Sequence, residues 1–203
     1  LFCGPRGVGK TSCARILARK INNQKKEDDI KFNIFELDAA SNNSVDDIRN
    51  LNEQVRIPPQ LGNYKIYIID EAHMLSTAAF NAFLKTLEEP PKHAIFILAT
   101  TEKHKIIPTI LSRCQIFDFK RISIDDIVNH LKFVAEQEKI NVEQDALHII
   151  AQKSDGSLRD SLSIFDRLAS FADGITYQHV IENLNNLDQL LSLKIIFFDL
   201  LIL

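Results

Sequence analysis

A glycine-rich segment at residues 4–11 has the residue types and spacing needed to bind phosphate groups. It matches the pattern G-x-x-x-x-G-K-[ST], with Lys10 and Thr11 as its last two residues. Glycines let the backbone curl so that successive N–H groups converge on phosphate oxygens at a helix N-terminus. Lys10 is then expected to reach the β- and γ-phosphates of a nucleotide, and the Thr11 hydroxyl to hold Mg²⁺. The predicted phosphate-binding residues are Gly4, Pro5, Arg6, Gly7, Val8, Gly9, Lys10, Thr11 and Ser12.

Two adjacent carboxylates follow a strongly apolar segment later in the chain. Residues 66–69 are Ile-Tyr-Ile-Ile, and Asp70 and Glu71 come next. Two acids at a strand end are ordinarily part of a solvated turn, but the phosphate loop upstream favours a chemical role. Asp70 suits Mg²⁺ coordination, and Glu71 suits a general base that polarises water. The two segments together predict hydrolysis of a nucleoside triphosphate.

The two acids continue into Ala72 and His73, so residues 70–73 spell D-E-A-H. This tetrapeptide also labels one class of nucleic-acid helicase, which makes a helicase the first alternative function. Such helicases need two ATPase-type domains in tandem, and no second alternation of strands and helices follows Arg121. We interpret His73 itself as a polar residue at a helix start rather than as a catalyst.

The first 121 residues alternate short apolar runs with amphipathic segments, which is the pattern of a parallel sheet covered by helices. The predicted strands are Leu1–Cys3, Ile34–Asp38, Lys65–Asp70, Ala94–Ala99 and Gln115–Phe119. The predicted helices are Lys10–Ile21, Val45–Val55 and Thr77–Leu87. The phosphate loop therefore lies between the first strand and the first helix, and the acidic pair ends the third strand. The predicted fold class is α/β, a P-loop core with a five-stranded parallel sheet.

The strand pattern ends at Ser123, and helical periods then follow one another. The predicted helices are Asp125–Lys139, Glu143–Lys153, Leu158–Ala172 and Tyr177–Asn183. This shift predicts a domain boundary near Arg121 and a small all-α domain after it. Leu190–Leu203 is strongly apolar but carries Lys194 and Asp199, so its uninterrupted apolar run is too short to cross a bilayer.

Composition restricts the partners and the setting. Lys plus Arg number 24 against 27 Asp plus Glu, and the net charge of -3 gives no overall attraction to a polyanion, so any nucleic-acid contact must be local. The three cysteines show no C-x-x-C spacing, which argues against a disulfide framework and against a zinc site. With no signal peptide and no membrane segment predicted, the expected location is the cytoplasm.

Several sequence blocks carry a more specific resemblance. They are GPRGVGKTSCARILA at Gly4–Ala18, ELDAAS at Glu36–Ser41, IIDEAHMLS at Ile68–Ser76, FNAFLKTLEEPP at Phe80–Pro91, ILATTEKHKIIPTILSRCQIFDF at Ile97–Phe119 and DGSLRDSLSIFD at Asp155–Asp166. From Leu1 to about Leu187 the chain resembles the AAA+ clamp loaders, and within them the gamma/tau subunits of bacterial DNA polymerase III. The resemblance implies an AAA+ P-loop core at 1–121, a helical lid at 122–185 and the start of a collar, or oligomerisation, region at 186–203.

The resemblance also implies roles for three further residues. Thr101 looks like the first sensor, a polar group that feels the γ-phosphate. Arg113 is similar to the arginine that acts on the ATP of a neighbouring subunit, and Arg159 to the second sensor, through which the lid contacts nucleotide. A lone arginine is more often a surface ion pair, but a guanidinium offers several fixed donors to phosphate oxygens. The implied catalytic residues are Lys10, Glu71, Thr101, Arg113 and Arg159, and the implied nucleotide-binding residues are the phosphate loop, Asp70 and Arg159.

In this family, ATP binding in a ring of related subunits holds open a sliding clamp and grips primed DNA, and hydrolysis releases both. The resemblance therefore implies ATP and Mg²⁺ as cofactors, and other clamp-loader subunits, the sliding clamp, primed DNA and the DNA polymerase III core as partners. The family's four-cysteine zinc module is missing between Ile21 and Phe32, so zinc binding is not predicted. The remainder of the adenine pocket and of the collar is expected outside Leu1–Leu203.

Two smaller questions stay open at the level of sequence. Residues 41–44 are either a plain helix cap or a source of donors to DNA phosphates. A non-hydrolysing scaffold subunit is a further alternative, although the complete set of Lys10, Thr11, Asp70, Glu71 and Arg159 argues against it. We find no group of carboxylates suited to two-metal nucleotidyl transfer, so a polymerase active site is not predicted in this chain.

Overall fold

The computed structural model describes residues 1–22, 33–60, 62–170 and 174–183. Spatial proximity of Cα atoms divides the chain into two compact units, Leu1–Lys120 and Arg121–Leu203. The predicted collar region at 186–203 and the end of the predicted helix Leu158–Ala172 lie outside the described residues.

The first unit contains the five-stranded parallel sheet that the sequence predicts. Its strands are β1 (Phe2–Cys3), β2 (Ile34–Asp38), β3 (Lys65–Asp70), β4 (Ala94–Thr100) and β5 (Phe117–Asp118), in the spatial order β2-β3-β4-β1-β5. Its helices are α1 (Lys10–Ile21), α2 (Val45–Arg56), α3 (Thr77–Glu88) and α4 (Pro108–Leu111), with short 3₁₀ turns at Ala72–Met74 and Lys103–Lys105. The α/β fold class is confirmed.

Apolar side chains cover both faces of this sheet, which explains why its central strand reads as one continuous apolar run. On one face Ile66 and Ile68 of β3 pack in a cluster with Ala14 and Ala18 of α1. On the other face the cluster contains Tyr67 and Ile69 of β3, and it extends to α2 and α3 through Ile48, Leu51, Phe80 and Phe83. Helices therefore enclose β3 on both sides and hold the acidic pair at its end.

Serine side chains set the first residues of two helices in this unit. The Ser44 hydroxyl accepts from the Asp47 backbone N–H at 3.2 Å, and the Asp47 carboxylate accepts from the Ser44 N–H at 3.1 Å, which forms a complete capping box at α2. The Ser76 hydroxyl accepts from the Ala79 N–H at the start of α3. The structure thus supports the cap interpretation for Ser44, and DNA contact by residues 41–44 stays a hypothesis.

The second unit is helical, with α5 (Ile124–Glu138), α6 (Gln144–Lys153), α7 (Leu158–Ala169) and a helical stretch at residues 177–183. Its separate core includes Ile127, Leu131, Leu147, Ile150, Phe165 and Leu168. The prediction of an all-α domain needs one correction, because β6 (Asn141–Val142) and β7 (Gly174–Ile175) form a short parallel pair. Two-residue strands are too short to show an alternating pattern in sequence. No helix in the described ranges is long and apolar enough to cross a membrane.

Candidate nucleotide-binding site

The phosphate loop connects β1 to α1 through backbone conformations that favour glycine. Gly4 has φ 148° and Gly9, the residue before α1, has φ 92°. A Cβ added to Gly4 would lie 2.3 Å from the carbonyl oxygen of Phe119, so no other residue fits there without displacing the backbone beside β5. The Gly4 N–H donates to the Thr100 carbonyl at 3.2 Å, which ties the start of the loop to the end of β4.

Lys10 points back into the loop that precedes it. Its side chain is almost fully buried, and Nζ donates to the carbonyl oxygens of Gly4 at 2.9 Å and Pro5 at 2.8 Å. These contacts hold an ammonium group inside the curl of the loop. A cation at this point, together with the N-terminus of α1, favours an anionic ligand such as a chain of phosphates.

The two predicted Mg²⁺ ligands lie in direct contact. Thr11 Oγ1 donates to Asp70 Oδ2 at 2.7 Å, and Asp70 Oδ1 accepts from the Glu71 backbone N–H at 2.9 Å. A hydroxyl and a carboxylate side by side are hard oxygen donors, which is the ligand type that Mg²⁺ prefers. Thr11 and Asp70 therefore fit a magnesium ion, and they are the two residues for which the sequence motifs predict Mg²⁺ coordination.

Glu71 and Thr101 form the second contact of the site. Thr101, directly after β4, donates through Oγ1 to Glu71 Oε2 at 3.0 Å. Glu71 has φ 46°, in the left-handed region, and its side chain contacts Thr101, whereas that of Asp70 contacts Thr11. The predicted general base and the predicted first sensor are thus neighbours.

His73 also belongs to this group, although its sequence position predicted only a helix start. It lies in the 3₁₀ turn Ala72–Met74, and only 7% of its side chain is exposed. Nδ1 lies 3.1 Å from Thr100 Oγ1 and 3.4 Å from Glu71 Oε2, and Nε2 lies 3.3 Å from Glu102 Oε1. The only sequence signal was the position of His73, two residues after Glu71.

Among the described residues of the first unit, Arg113 forms no hydrogen bond or ion pair with the phosphate loop. Arg113 follows α4, where Nη2 lies 2.6 Å from Glu88 Oε1 and Nη1 donates to the Thr109 carbonyl at 2.7 Å. Arg159 is an exposed residue in the first turn of α7, in the second unit. Their assigned roles, which require a neighbouring subunit or a closed lid, stay predictions.

The cysteines do not form a metal site of their own in the described part of the chain. Among the described residues, no cluster of three or more His, Cys, Asp or Glu side chains is arranged to hold a metal ion. Cys3 and Cys114 are at least partly buried, and desolvation raises the pKa of both thiols, which keeps them in the neutral form.

Two family models together match most of the chain. One, described as DNA polymerase III, delta subunit, matches residues 1–123. The other, described as DNA polymerase III clamp loader subunit, ATPase lid domain, matches residues 126–174.

Curated relatives show the same affiliation. DNA polymerase III subunit tau of Bacillus subtilis is 50% identical over 190 residues, which cover 86% of this chain and 34% of that protein. Its counterpart in Escherichia coli is 43% identical over 211 residues, which cover 95% of this chain and 33% of that protein. The chain spans about a third of the length of these relatives.

Solved structures agree in fold. A mutant of RuvB from Thermotoga maritima superimposes with a TM-score of 0.74 at 20% identity, covering 93% of this chain and 61% of that one. A DNA polymerase III gamma subunit-related protein of the same organism gives 0.55 at 22% identity, covering 83% of this chain and 56% of that one. At such identities the likeness establishes the AAA+ fold alone. The family models and the relatives add the affiliation, and the chain belongs to the gamma/tau family of DNA polymerase III clamp-loader subunits.

Proposed function

We propose that this chain is the ATP-hydrolysing core of a clamp-loader subunit, which drives the loading of a sliding clamp onto primed DNA. One observation supports the proposal above the others. The end of β3 carries two acids with separate partners, since Asp70 contacts Thr11 of the phosphate loop and Glu71 contacts Thr101 beside β4. A scaffold subunit that only binds neighbouring subunits has no need for two carboxylates with separate contacts.

Each part of the site has a distinct task in the proposed reaction. The backbone of the phosphate loop and the Lys10 ammonium bind the phosphates of ATP. Thr11 and Asp70 would hold Mg²⁺, which when bound neutralises charge on the β- and γ-phosphate oxygens. Glu71 orients a water molecule and accepts its proton as that water attacks the γ-phosphorus. Thr101 holds the Glu71 carboxylate and lies where it can respond to the γ-phosphate.

The coupling to clamp loading belongs to the assembled ring. We propose that Arg113 donates to the ATP of a neighbouring subunit and that Arg159 donates to the nucleotide of its own subunit, because an arginine stays charged and binds phosphate through several fixed donors. ATP and ADP then stabilise different subunit arrangements, since a ligand can shift an equilibrium only between states that it distinguishes. The proposed partners are other loader subunits, the sliding clamp, primed DNA and the DNA polymerase III core.

The test measures ATP hydrolysis by the full-length subunit assembled with its loader partners, with and without sliding clamp and primed DNA. We expect both to stimulate hydrolysis, and Lys10→Ala and Arg113→Ala each to lower the stimulated rate by about a hundredfold or more. Lys132→Ala, at an exposed position on α5, serves as the matched control and should leave the rate unchanged.

Two results would contradict the proposal. ATP-dependent separation of DNA strands in the absence of clamp would favour the helicase suggested by the D-E-A-H segment. Hydrolysis that is absent in every assembly, while the ring still forms, would favour a scaffold subunit.

A further inference from the structure

The imidazole of His73 occupies a position between two carboxylates at the end of the sheet. Its Nδ1 lies 3.4 Å from Glu71 Oε2, and its Nε2 lies 3.3 Å from Glu102 Oε1. An ionised carboxylate only accepts hydrogen bonds, and an imidazole carries an N–H that can be directed at it. A histidine that merely begins a helix would instead have its ring in solvent.

Thr100 fixes the ring from the neighbouring strand. It is completely buried, and its hydroxyl accepts from the Glu102 backbone N–H at 3.0 Å while lying 3.1 Å from His73 Nδ1. The hydroxyl therefore belongs to the turn that ends β4, and its contact with Nδ1 ties the His73 ring to the end of that strand.

We propose that His73 is a positioning residue for Glu71. The adjacent threonines at the end of β4 then restrain the same carboxylate by two routes, since Thr101 donates to it directly and Thr100 supports it through the His73 ring. The inference rests on the proposed function, because it assigns to Glu71 the role of general base.

The expected effect follows from how a general base works. Proton acceptance by a positioned side chain contributes on the order of 10²- to 10⁴-fold to a rate, and a misplacement of about 1 Å removes much of that contribution. Without the ring, Glu71 loses one of its two restraints and keeps the contact with Thr101, and its chain of single bonds can adopt other rotamers. The turnover number should therefore fall, whereas the binding of ATP, which involves Lys10 and Thr11, should not change.

Three substitutions distinguish the contribution of Nδ1 from that of Nε2. His73→Asn places a polar atom close to the position of Nδ1, which faces Glu71 and Thr100. His73→Gln places one close to Nε2, which faces Glu102. His73→Phe keeps the shape of a ring without its nitrogens. His104→Asn is the matched control, because His104 lies 3.6 Å from Glu102 but is 77% exposed and faces neither Glu71 nor Thr100.

The experiment uses the full-length subunit in its assembled loader and measures ATP affinity and single-turnover hydrolysis of bound ATP, so that only folded protein is counted. We expect His73→Gln and His73→Phe to lower the hydrolysis rate by roughly ten- to a hundredfold with ATP affinity within about twofold of wild type. His73→Asn should retain several times more activity than either, and His104→Asn should match wild type.

Different outcomes would contradict the positioning role of His73 and the proposed function on which that role rests. If the wild type hydrolyses ATP and Glu71→Gln abolishes that activity, but the His73 variants hydrolyse at the wild-type rate, only the positioning role is wrong. The same holds if His73→Gln equals His73→Asn, or if ATP affinity falls in parallel with the rate. If Glu71→Gln hydrolyses ATP as fast as wild type, Glu71 is not the base, and the proposed mechanism fails together with the inference.

Discussion

Asp70 and Glu71 are consecutive carboxylates whose side chains contact different residues. Asp70 is the last residue of β3, and its side chain meets Thr11. Glu71 adopts φ 46°, a conformation that costs a non-glycine residue on the order of 1 kcal/mol or more, and its side chain meets Thr101 instead. The two acids are therefore neighbours in the chain that contact different segments, Asp70 the phosphate loop and Glu71 the residue after β4.

Tyr67, three residues before Asp70, carries a hydroxyl for which the described residues provide no such contact. Its ring stacks between those of Phe35 and Phe96, at centroid distances of 5.1 and 5.5 Å, and its hydroxyl is buried without a hydrogen-bond partner among the described residues. Burial raises the pKa of Tyr67 to about 12. The hydroxyl thus costs stability without an observed compensating contact.

A pH titration of stability should detect this residue. An unfolded tyrosine releases its proton near pH 10, whereas Tyr67, with its pKa raised to about 12, keeps it in the folded chain. Ionisation of this group therefore leaves the free energy of unfolding unchanged below pH 10 and lowers it as the pH rises to about 12. Over that interval the free energy of unfolding of the first unit should fall faster in the wild type than in Tyr67→Phe, by up to about 1.4 kcal/mol per pH unit. Denaturant unfolding at several pH values measures the difference.

Tyr177→Phe is the control for that titration, since Tyr177 is 44% exposed and lies outside the first unit. Parallel curves for the wild type and Tyr67→Phe would show that the Tyr67 hydroxyl finds water or another partner in solution.

At the scale of the elements, sequence patterns predicted strands and helices best where packing agrees with local preference. The bounds of α1, β2 and β3 agree with the prediction. A polar residue marks the end of each, since Asn22 follows α1, and β2 and β3 end at Asp38 and Asp70. Within the predicted strand Gln115–Phe119, the assigned strand β5 is limited to Phe117 and Asp118, which pair with the two residues of β1. Backbone hydrogen bonds nevertheless span the predicted segment, since the Leu1 amino group donates to the Gln115 carbonyl at 2.7 Å and the Phe119 N–H to the Cys3 carbonyl at 2.7 Å.

The candidate site was predictable from sequence where a local motif is involved. Spacing along the sequence singled out Lys10, Thr11 and Asp70, and the structure brings Thr11 and Asp70 into contact. It did not identify the neighbours of His73, because Thr100 and Glu102 reach the ring from a different strand. Contacts of that kind depend on the order of strands in the sheet, which a single sequence does not contain.

The cap of α7 is a testable case at this scale. The Ser157 hydroxyl accepts from the Asp160 N–H at 3.2 Å, and Ser157 is 7% exposed. Ser157→Ala should lower the free energy of unfolding of the helical unit by about 1 kcal/mol, since a lost cap leaves an N–H group without its acceptor. It should also speed amide exchange in the first turn of α7, which carries Arg159. Hydrogen exchange and denaturant unfolding measure both effects.

Ser163→Ala offers a contrast on the same helix. Ser163 is exposed and bonds back to the Arg159 carbonyl within the helix, so its loss should change the stability by less than about 0.5 kcal/mol. An equal loss from both substitutions would contradict the capping role of Ser157.

At the scale of the molecule, the chain consists of two units that each have their own apolar core. The core of the first unit lies on both faces of the sheet, and that of the second lies among α5, α6 and α7. Units with separate cores can open separately, and a single free energy of unfolding then does not describe the whole chain. Such independence suits the role proposed for this unit, in which a lid contacts nucleotide through Arg159.

Ile150→Ala tests this independence. Ile150 is completely buried in the second core, and its truncation should cost about 2–5 kcal/mol in that unit. Native-state hydrogen exchange should show faster exchange of the amides of α5, α6 and α7, with those of α1 and β3 unchanged. If the amides of β3 accelerate by the same factor, the two units unfold as one.

The strand order also bears on how the protein forms during translation. β1 lies between β4 and β5, so Phe2 pairs with Ala99 and with Phe117. At roughly 5–20 residues per second, a ribosome needs several seconds or longer to synthesise the residues between these partners. Until β4 has been synthesised, Phe2 and Cys3 have neither of their strand partners, and the phosphate loop lacks the carbonyl of Thr100 that holds its first residue. The loop is therefore expected to take its folded form late in translation, after β4 and then β5 have emerged.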